Sequence, residues 1–217
     1  KIIKNILNKN KSKKIFFNKW KIKKKNKYYI YKDKYHTIPI RSKNIHSKGL
    51  IQNLGLAIKI ALDLGISKKK IIKTIPKIQF EGRIQYIHKG NLKKILNKNE
   101  KILLDGCHSV ESAKNLYSYL KTLRTPIYGI WGMSKNKLPG KFIKEFKRIF
   151  KKIIIVKVPD EKNSCEILKL TNAASKYFNV SSEKSITLAL KKLSSKQEKT
   201  VVVFGSLYLI GEFLKRN

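Results

Sequence analysis

The second half of the chain alternates short apolar runs with longer amphipathic stretches. The apolar runs predict strands at 101–105, 127–132, 153–157 and 200–204. The stretches between them predict helices over 109–122, 139–151, 164–178 and 183–193, with a final helix after residue 206. Strands that alternate with helices of ten or more residues are typical of βαβ units. The sequence therefore predicts an α/β fold with a Rossmann-like, mostly parallel sheet flanked by helices.

The first half of the chain has a different pattern. Residues 1–11 predict a lysine-rich helix, and the aromatic and β-branched stretch 16–40 predicts two or three strands. An amphipathic helix over 50–65 ends at Gly65, and another begins at Ser67, a natural N-cap, and ends near Pro76. Because the stretch that follows has little periodicity, we place a domain boundary near 78–82. The two predicted domains are 1–80 and 81–217.

The charge of the chain is strongly positive. Its 51 Lys and Arg against 13 Asp and Glu give a net charge of +38, which is typical of proteins that bind nucleic acid or anionic surfaces. Nearly all of the bases are lysines, however, and they occur in every segment beside abundant Ile and Asn. We therefore favour a coding bias over a polyanion-binding surface. The arginines at 41, 83, 124, 148 and 216 are then the more informative cations, because a biased sequence keeps Arg where Lys will not serve.

A basic module that binds RNA or another polyanion remains an alternative. It depends on the charge and on aromatic residues that could stack on bases, namely Trp20, Tyr28, Tyr29 and Tyr31. We favour packing of these rings within a sheet.

Cysteine content and hydropathy limit the setting of the protein. Cys107 and Cys165 lie in different motifs, so the sequence predicts neither a disulfide framework nor a metal site. No apolar run approaches the roughly 18 residues of a membrane span, and no signal peptide is recognisable. We expect a cytoplasmic protein without membrane contact. Since Met133 is the single methionine, we also expect the sequence to be part of a longer protein.

Polar residues follow three of the predicted strands. Asp105 ends the first strand and His108 follows it, the second leads into residues 134–137, and the last leads into Ser206. Ligands of open α/β sheets bind at the carboxyl ends of the strands. There, Asp105 could accept hydrogen bonds from ribose hydroxyls, hold a cation, or cap the next helix. His108 could bind a phosphate at a helix N-terminus or act only as a cap.

Three further residues have two interpretations each. The guanidinium of Arg83 suits bidentate phosphate binding or a surface salt bridge. Asn136 and Lys137 could orient a substrate carboxylate or merely close a loop. No Walker A pattern, His/Cys metal cluster or Ser/His/Asp set occurs in the sequence.

Taken together, these motifs resemble the carboxy-terminal half of folylpolyglutamate synthase/dihydrofolate synthase, in the Mur-ligase superfamily. The family's glycine-arginine element is matched by Gly82-Arg83, and its L-D-G-A-H-N-P motif by the LDGCHSV that contains Asp105 and His108. Its G-M-x-x-x-K-D turn is matched by GMSKNK, and its G-S-x-Y-x-x-G-E ending by GSLYLIGE. The similarity extends back to Asn53, which matches the asparagine of an H-Q-x-x-N helix start. An Ile38-Pro39 turn also resembles the end of the family's central domain.

The resemblance implies an ATP-dependent ligase of folate biosynthesis. Such an enzyme joins L-glutamate to dihydropteroate or a folate through an acyl phosphate, with Mg²⁺ as cofactor. It implies ATP contacts for Asn53, Arg83 and Asp105, and a place by the nucleotide phosphates, as the catalytic residue, for His108. Ser134, Lys137 and Ser206 would form the rim that faces glutamate. Residues 1–80 would be the remainder of the central ATPase domain and 81–217 the glutamate ligase domain, in a monomer.

The sequence also departs from the family. Gly49-Leu50 replaces the H-Q pair, Ser109-Val110 replaces N-P, and the K-D turn keeps its lysine, Lys137, but not its acid. The resemblance places the P-loop and the magnesium ligands upstream of Lys1, so we expect this chain alone to be inactive. A muramyl-peptide ligase C-terminal domain is a second interpretation within the superfamily, although the GSLYLIGE ending favours the folate branch.

Overall fold

The computed structural model describes residues 19–26, 28–42, 45, 48–159 and 161–217. The chain divides into two compact units, one that ends at Gln79 and one over Phe80–Asn217. The predicted helix over 1–11 lies outside the described residues. The assignment of the two units to domains of a ligase stays a prediction.

The first unit contains a three-stranded antiparallel sheet. Its strands are β1 (Trp20–Lys25), β2 (Tyr28–Asp33) and β3 (Thr37–Ile40), in the order β1-β2-β3. The strands predicted within 16–40 are therefore confirmed. The predicted Ile38-Pro39 turn is wrong, because both residues lie inside β3, where Pro39 is opposite Ile30. β3 pairs on one side only among the described strands, and such an edge tolerates a proline, which has no N–H to donate.

Two helices complete the described part of this unit: α1 (Lys48–Asp63) and α2 (Lys68–Thr74), the latter followed by a 3₁₀ turn (Ile75–Lys77). Their predicted ends are confirmed. Gly65 has a φ of +80°, which suits the end of a helix, and Ser67 caps α2 by accepting a hydrogen bond from the Lys70 N–H at 3.4 Å.

Aromatic residues of the first unit pack in its core. Trp20 and Tyr31 are buried and stack with ring centroids 6.0 Å apart. A Cβ on Gly55 would lie 2.3 Å from the Trp20 ring, so α1 approaches β1 closely at this glycine. These two rings cannot serve as an exposed stacking platform, whereas Tyr28 and Tyr29 are half-buried.

The second unit is an α/β domain with a six-stranded sheet. The strand order is β4-β5-β9-β6-β7-β8, and every neighbouring pair is parallel except β4 with β5. This confirms the predicted fold class. The elements are β4 (Gln85–Ile87), a 3₁₀ turn (Lys93–Ile95), β5 (Glu100–Asp105), α3 (Val110–Leu120), β6 (Ile127–Trp131), α4 (Pro139–Lys144), β7 (Lys152–Ile155), α5 (Ile167–Ala174), β8 (Asn179–Ser182), α6 (Ile186–Leu193), β9 (Lys199–Phe204) and α7 (Leu207–Arg216).

Alternation along the strands builds a hydrophobic core on each face of this sheet. In β9, Val202 and Phe204 face one core, and Val201 and Val203 face the other. Helices α3, α4 and α5 cover the first face, while α6 and α7 cover the second. The sheet is therefore buried between two layers of helices, and its strand ends are left for polar residues. No helix in the described part of the chain is long and apolar enough to cross a membrane.

Candidate functional site

The loops that follow β5, β6 and β9 meet at one edge of the sheet, because β9 lies between the other two strands. Gly205 makes the sharp turn after β9, with a φ of +108°. A Cβ at this position would lie 2.4 Å from the Gly132 carbonyl oxygen, in the loop after β6. A glycine is therefore required here, both for the backbone conformation and for the close approach of the two loops.

A cleft of about 270 Å³ opens at this edge. The structure brings four of the predicted site residues to it: His108, Ser134, Lys137 and Ser206. The other described residues that line it are Asn136, Glu161, Asn163, Leu207 and Tyr208. Residues far apart in the sequence thus converge on one concave surface, which combines a cation, an anion, hydroxyls and amides.

Hydrogen bonds hold the walls of the cleft. Ser206 is buried and caps α7, with its Oγ accepting from the Tyr208 N–H at 3.2 Å. The Ser134 carbonyl accepts from the Lys137 N–H at 3.2 Å, which closes the turn after β6. The Lys135 N–H donates to the Asn163 carbonyl at 2.6 Å, so this turn is joined to the loop after β7.

The loop after β7 supplies Glu161 and Asn163, which our sequence analysis missed. A signal was present, since the predicted strand at 153–157 leads into the polar run PDEKNS just as the other strands lead into theirs. Glu161 and Asn163 thus follow a predicted strand in the same way as the other residues of the cleft.

His108 lies between β5 and the start of α3. Its Nδ1 is 3.1 Å from the Gly106 carbonyl oxygen, and a carbonyl can only accept, so Nδ1 carries the proton. Nε2 is then the ring nitrogen left to interact with a bound group. Ser109 and Ser112 cap α3 reciprocally, and the His108 N–H donates to Ser112 Oγ at 3.1 Å. The helix cap therefore does not need the imidazole.

Asp105 is only 5% exposed, and both of its carboxylate oxygens accept main-chain hydrogen bonds. Oδ2 accepts from the Ile84 N–H at 3.0 Å, and Oδ1 from the Cys107 N–H at 2.9 Å. Burial raises the pKa of Asp105 although these bonds and the nearby Arg83 oppose the rise. Ile84 has a φ of +49°, an unfavourable conformation for a β-branched residue. The carboxylate thus holds a strained turn against the end of β5.

Arg83 lies in this turn, close to Asp105. Its Nη1 donates to the Gly82 carbonyl at 3.1 Å, and the same carbonyl accepts from the Gly106 N–H at 2.8 Å. A Cβ on Gly106 would lie 2.8 Å from Nη1, so the guanidinium covers this glycine. The structure therefore brings Arg83 and Asp105 to one edge of the sheet, beside the segment that leads to His108. Neither is among the described residues that line the cleft.

The remaining predicted residue, Asn53, belongs to the first unit, where it is exposed on α1. Its proposed ATP contact stays a prediction, as do the roles of the other site residues.

In the described part of the chain, no group of three or more His, Cys, Asp and Glu side chains could hold a metal ion. Cys107 and Cys165 are free and buried, and burial followed by the nearby Asp105 raises the pKa of Cys107 well above its usual value.

A mostly parallel sheet with a polar cleft at its carboxyl edge is typical of α/β domains that bind ligands. Comparison with known proteins gives the family. Residues 88–216 match the model of the dihydrofolate synthetase C-terminal domain, which covers more than half of the chain. The chain belongs to the folylpolyglutamate synthase/dihydrofolate synthase family. No curated protein matches it.

Solved structures of this family share the fold at low sequence identity. Escherichia coli FolC in complex with DHPP and ADP is 17% identical, with a TM-score of 0.72 over 91% of this chain and 45% of its own. A bifunctional folylpolyglutamate synthase/dihydrofolate synthase from Yersinia pestis, complexed with AMPPNP and Mn, is 12% identical, with a TM-score of 0.75 over 98% and 49%. A bifunctional synthase with Mn, AMPPNP and L-glutamate bound is 13% identical, with a TM-score of 0.76 over 98% and 50%. The chain thus spans about half the length of these relatives.

Proposed function

We propose that this chain is part of an ATP-dependent ligase that adds L-glutamate to dihydropteroate, to a folate, or to both, through an acyl-phosphate intermediate. The observation that carries the proposal is the cleft, where His108, Ser134, Lys137 and Ser206 converge in a member of this family. The ligands named for the related structures support it: DHPP and ADP in one, AMPPNP and Mn in another, and L-glutamate in a third.

In this proposal, the residues at and near the end of β5 contact the nucleotide, and the cleft binds glutamate. Arg83 would neutralise phosphate charge, because a guanidinium offers several N–H donors in one plane. Asp105 would accept from the ribose hydroxyls with lone pairs that its two main-chain bonds leave over, while it holds the Arg83 turn in place. His108 Nε2 would contact the transferring phosphoryl group, and positioned donors of this kind stabilise the charge that develops there.

The cleft itself would hold glutamate. Lys137 offers a cation, and Ser134 and Ser206 offer hydroxyls, to the carboxylates of the incoming amino acid. In the ligase, ATP supplies the phosphoryl group that activates the folate carboxylate. The described residues contain no group of three or more metal-ligating side chains, and the family resemblance places the Mg²⁺ ligands upstream of Lys1, so we assign no step to Mg²⁺.

The wider predictions follow from the same proposal. Residues 1–80 would be the remainder of the central ATPase domain, with Asn53 as an ATP contact, and 81–217 the glutamate ligase domain. We expect a cytoplasmic monomer without a specific nucleic-acid partner. The family match favours the folate branch over a muramyl-peptide ligase, and the buried Trp20 and Tyr31 do not favour a nucleic-acid stacking platform.

The test is glutamate-dependent ATP turnover by the full-length protein that carries this sequence. Arg83→Ala and Asp105→Ala should each lower kcat/KM at least about tenfold, which is about 1.4 kcal/mol of transition-state stabilisation. Arg124→Ala is the matched control, because Arg124 precedes β6 and so lies near the amino ends of the strands. Wild-type turnover in the Arg83 and Asp105 variants would contradict the roles given to these residues.

A further inference from the structure

The loop after β7 places one acidic side chain in the cleft. The Glu161 carboxylate oxygen Oε1 accepts from the Asn163 N–H at 2.9 Å, and the Glu161 carbonyl accepts from the Ser164 N–H at 2.8 Å. The Cys165 N–H, just beyond, donates to the Met133 carbonyl at 2.8 Å. The loop is therefore tied to the segment that carries Ser134 and Lys137, and Glu161 is held at the wall of the cleft.

A carboxylate in this place is unusual for this chain. Asp and Glu account for 13 residues, against 51 Lys and Arg, and Glu161 supplies the one carboxylate among the described residues of the cleft wall. Some acids of the second unit, Glu183 and Glu212 among them, form ion pairs with nearby bases. Glu161 has no ion-pair partner among the described residues, although Lys137 lines the same cleft. Its charge is thus available to a cation from solution.

The two charges of the cleft match different parts of an α-amino acid. Lys137 and the hydroxyls of Ser134 and Ser206 suit carboxylates, but they offer no negative charge to an ammonium group. Glu161 offers that charge, and a hydrogen bond between ions is roughly twice as strong as a neutral one. The same carboxylate would repel a dicarboxylic acid that has no amino group, so it would select by repulsion as well as by attraction.

We propose that Glu161 binds the α-ammonium group of the incoming L-glutamate and makes the cleft selective for an amino acid over a dicarboxylic acid of the same length. This inference rests on the proposed function, because it takes L-glutamate as the ligand of the cleft. It assigns a specificity-determining role to a residue of the loop after β7, which none of the family motifs in the sequence contains.

The experiment measures the binding of two ligands to the full-length protein that carries this sequence, by titration calorimetry. L-glutamate and glutarate share both carboxylates and the chain length, and only L-glutamate has the amine. The wild-type chain should bind L-glutamate at least about tenfold more tightly than glutarate, a difference of about 1.4 kcal/mol. Glu161→Gln should weaken L-glutamate binding about tenfold and leave glutarate binding unchanged or tighter. Lys137→Gln should weaken the binding of both ligands.

Glu166→Gln is the matched control. It makes the same change in the same loop, at an exposed residue that does not line the cleft, and it should leave both affinities unchanged. Equal melting temperatures of the two glutamine variants would show that Glu161→Gln has not unfolded the loop. If Glu161→Gln keeps the wild-type preference for L-glutamate, the inference is wrong while the proposed function stands. If the wild-type chain binds neither ligand, the assignment of the cleft to glutamate fails, and the inference fails with it.

Discussion

Strand β5 carries a buried carboxylate at each end, and the two ends differ in how that charge is compensated. Glu100, at the amino end, is fully buried, and Asp105, at the carboxyl end, is 5% exposed. The pKa of Glu100 lies below its ordinary value and that of Asp105 lies above it. One strand thus carries a carboxylate that the protein compensates fully and one that it compensates less well.

The amino end is closed around an ion pair. Burial alone would raise the pKa of Glu100. The pKa is lowered because the carboxylate accepts hydrogen bonds from the Asn97 N–H at 2.7 Å and the Ser195 N–H at 2.9 Å, and because Lys199 Nζ lies 3.2 Å away. Lys199 also donates to the Leu193 carbonyl, and its Nζ lies 4.8 Å from the centre of the Tyr128 ring. Both buried charges at this end, Glu100 and Lys199, therefore have partners within the protein.

The carboxyl end keeps a charge that the protein compensates less well. Two main-chain donors and the neighbouring Arg83 do not offset the burial of Asp105, so its pKa stays raised. His108, three residues further along, and Lys137, in the turn after β6, line an open cleft. Perturbed ionisable groups beside a cleft are typical of functional sites. The comparison therefore favours the carboxyl edge as the place where this unit meets its ligands.

The largest effect is expected from a substitution that removes the buried ion pair between Glu100 and Lys199. Glu100→Gln leaves the Lys199 charge buried without its anion, and the loss of one partner of a buried pair costs about 3–5 kcal/mol. The free energy of unfolding, from urea denaturation at neutral pH, should fall by about that amount.

The neighbouring exposed pair is the control for this prediction. The Lys101 and Glu198 side chains are 3.1 Å apart and more than half exposed, and water and salt screen such a pair. Glu198→Gln should therefore change the free energy of unfolding by no more than about 1 kcal/mol. Equal losses in the Glu100 and Glu198 variants would show that the buried pair has no special role in stability.

The strand-helix alternation of the second unit could be predicted because the parallel strands β5, β6, β7 and β9 each contain an apolar run. Strands β4 and β8 were not predicted, because they lack such an apolar run. They are edge strands of three and four residues, and NVSS in β8 has a single apolar residue, so neither produces a recognisable run. The helices after β6 and β7 are also shorter than predicted. Residues 145–149 form turns, although their apolar spacing continues that of α4.

Only those cleft residues that follow a recognisable strand could be predicted from the sequence. The strand ends indicated His108, Ser134, Lys137 and Ser206, and the structure brings them to one cleft. The bonds from Asp105 to the turn before β4 could not be predicted, because they depend on the antiparallel strand that brings Ile84 next to the end of β5. Sequence spacing contains no information on such a pairing of segments about 20 residues apart.

The next largest effect is expected from a substitution at Gly205, in the turn after β9. Gly205→Ala places a Cβ against the Gly132 carbonyl oxygen at a φ of +108°, and strain of this kind costs about 1–3 kcal/mol or more. We expect a loss of about 2–3 kcal/mol in the free energy of unfolding, measured by urea denaturation. L-glutamate binding should weaken as well, because Ser206 would move with the turn.

Gly211→Ala is the matched control for the turn. A Cβ at Gly211 meets no atom within 4 Å, and the residue lies inside α7. Alanine favours a helix over glycine by up to about 1 kcal/mol, so this variant should be slightly more stable than the wild type. A stable Gly205→Ala variant with unchanged glutamate affinity would contradict the role given to this turn.

The smallest expected effect is a difference in pH dependence. Glu100 and Asp105 should change the free energy of unfolding with pH in opposite directions. The pKa of Glu100 is lowered from 4.5 in the folded protein, so its contribution to stability is full above that pH and is lost as the pH falls through the folded pKa. The pKa of Asp105 is raised from 3.8, so its ionisation costs stability, and this cost grows as the pH rises through the folded pKa. Urea denaturation from pH 3 to 8 should therefore show the stability of the wild type relative to Glu100→Gln increasing with pH, and its stability relative to Asp105→Asn decreasing. Slopes of the same sign would mean that the protein compensates both carboxylates alike, and the contrast between the two ends of β5 would be lost.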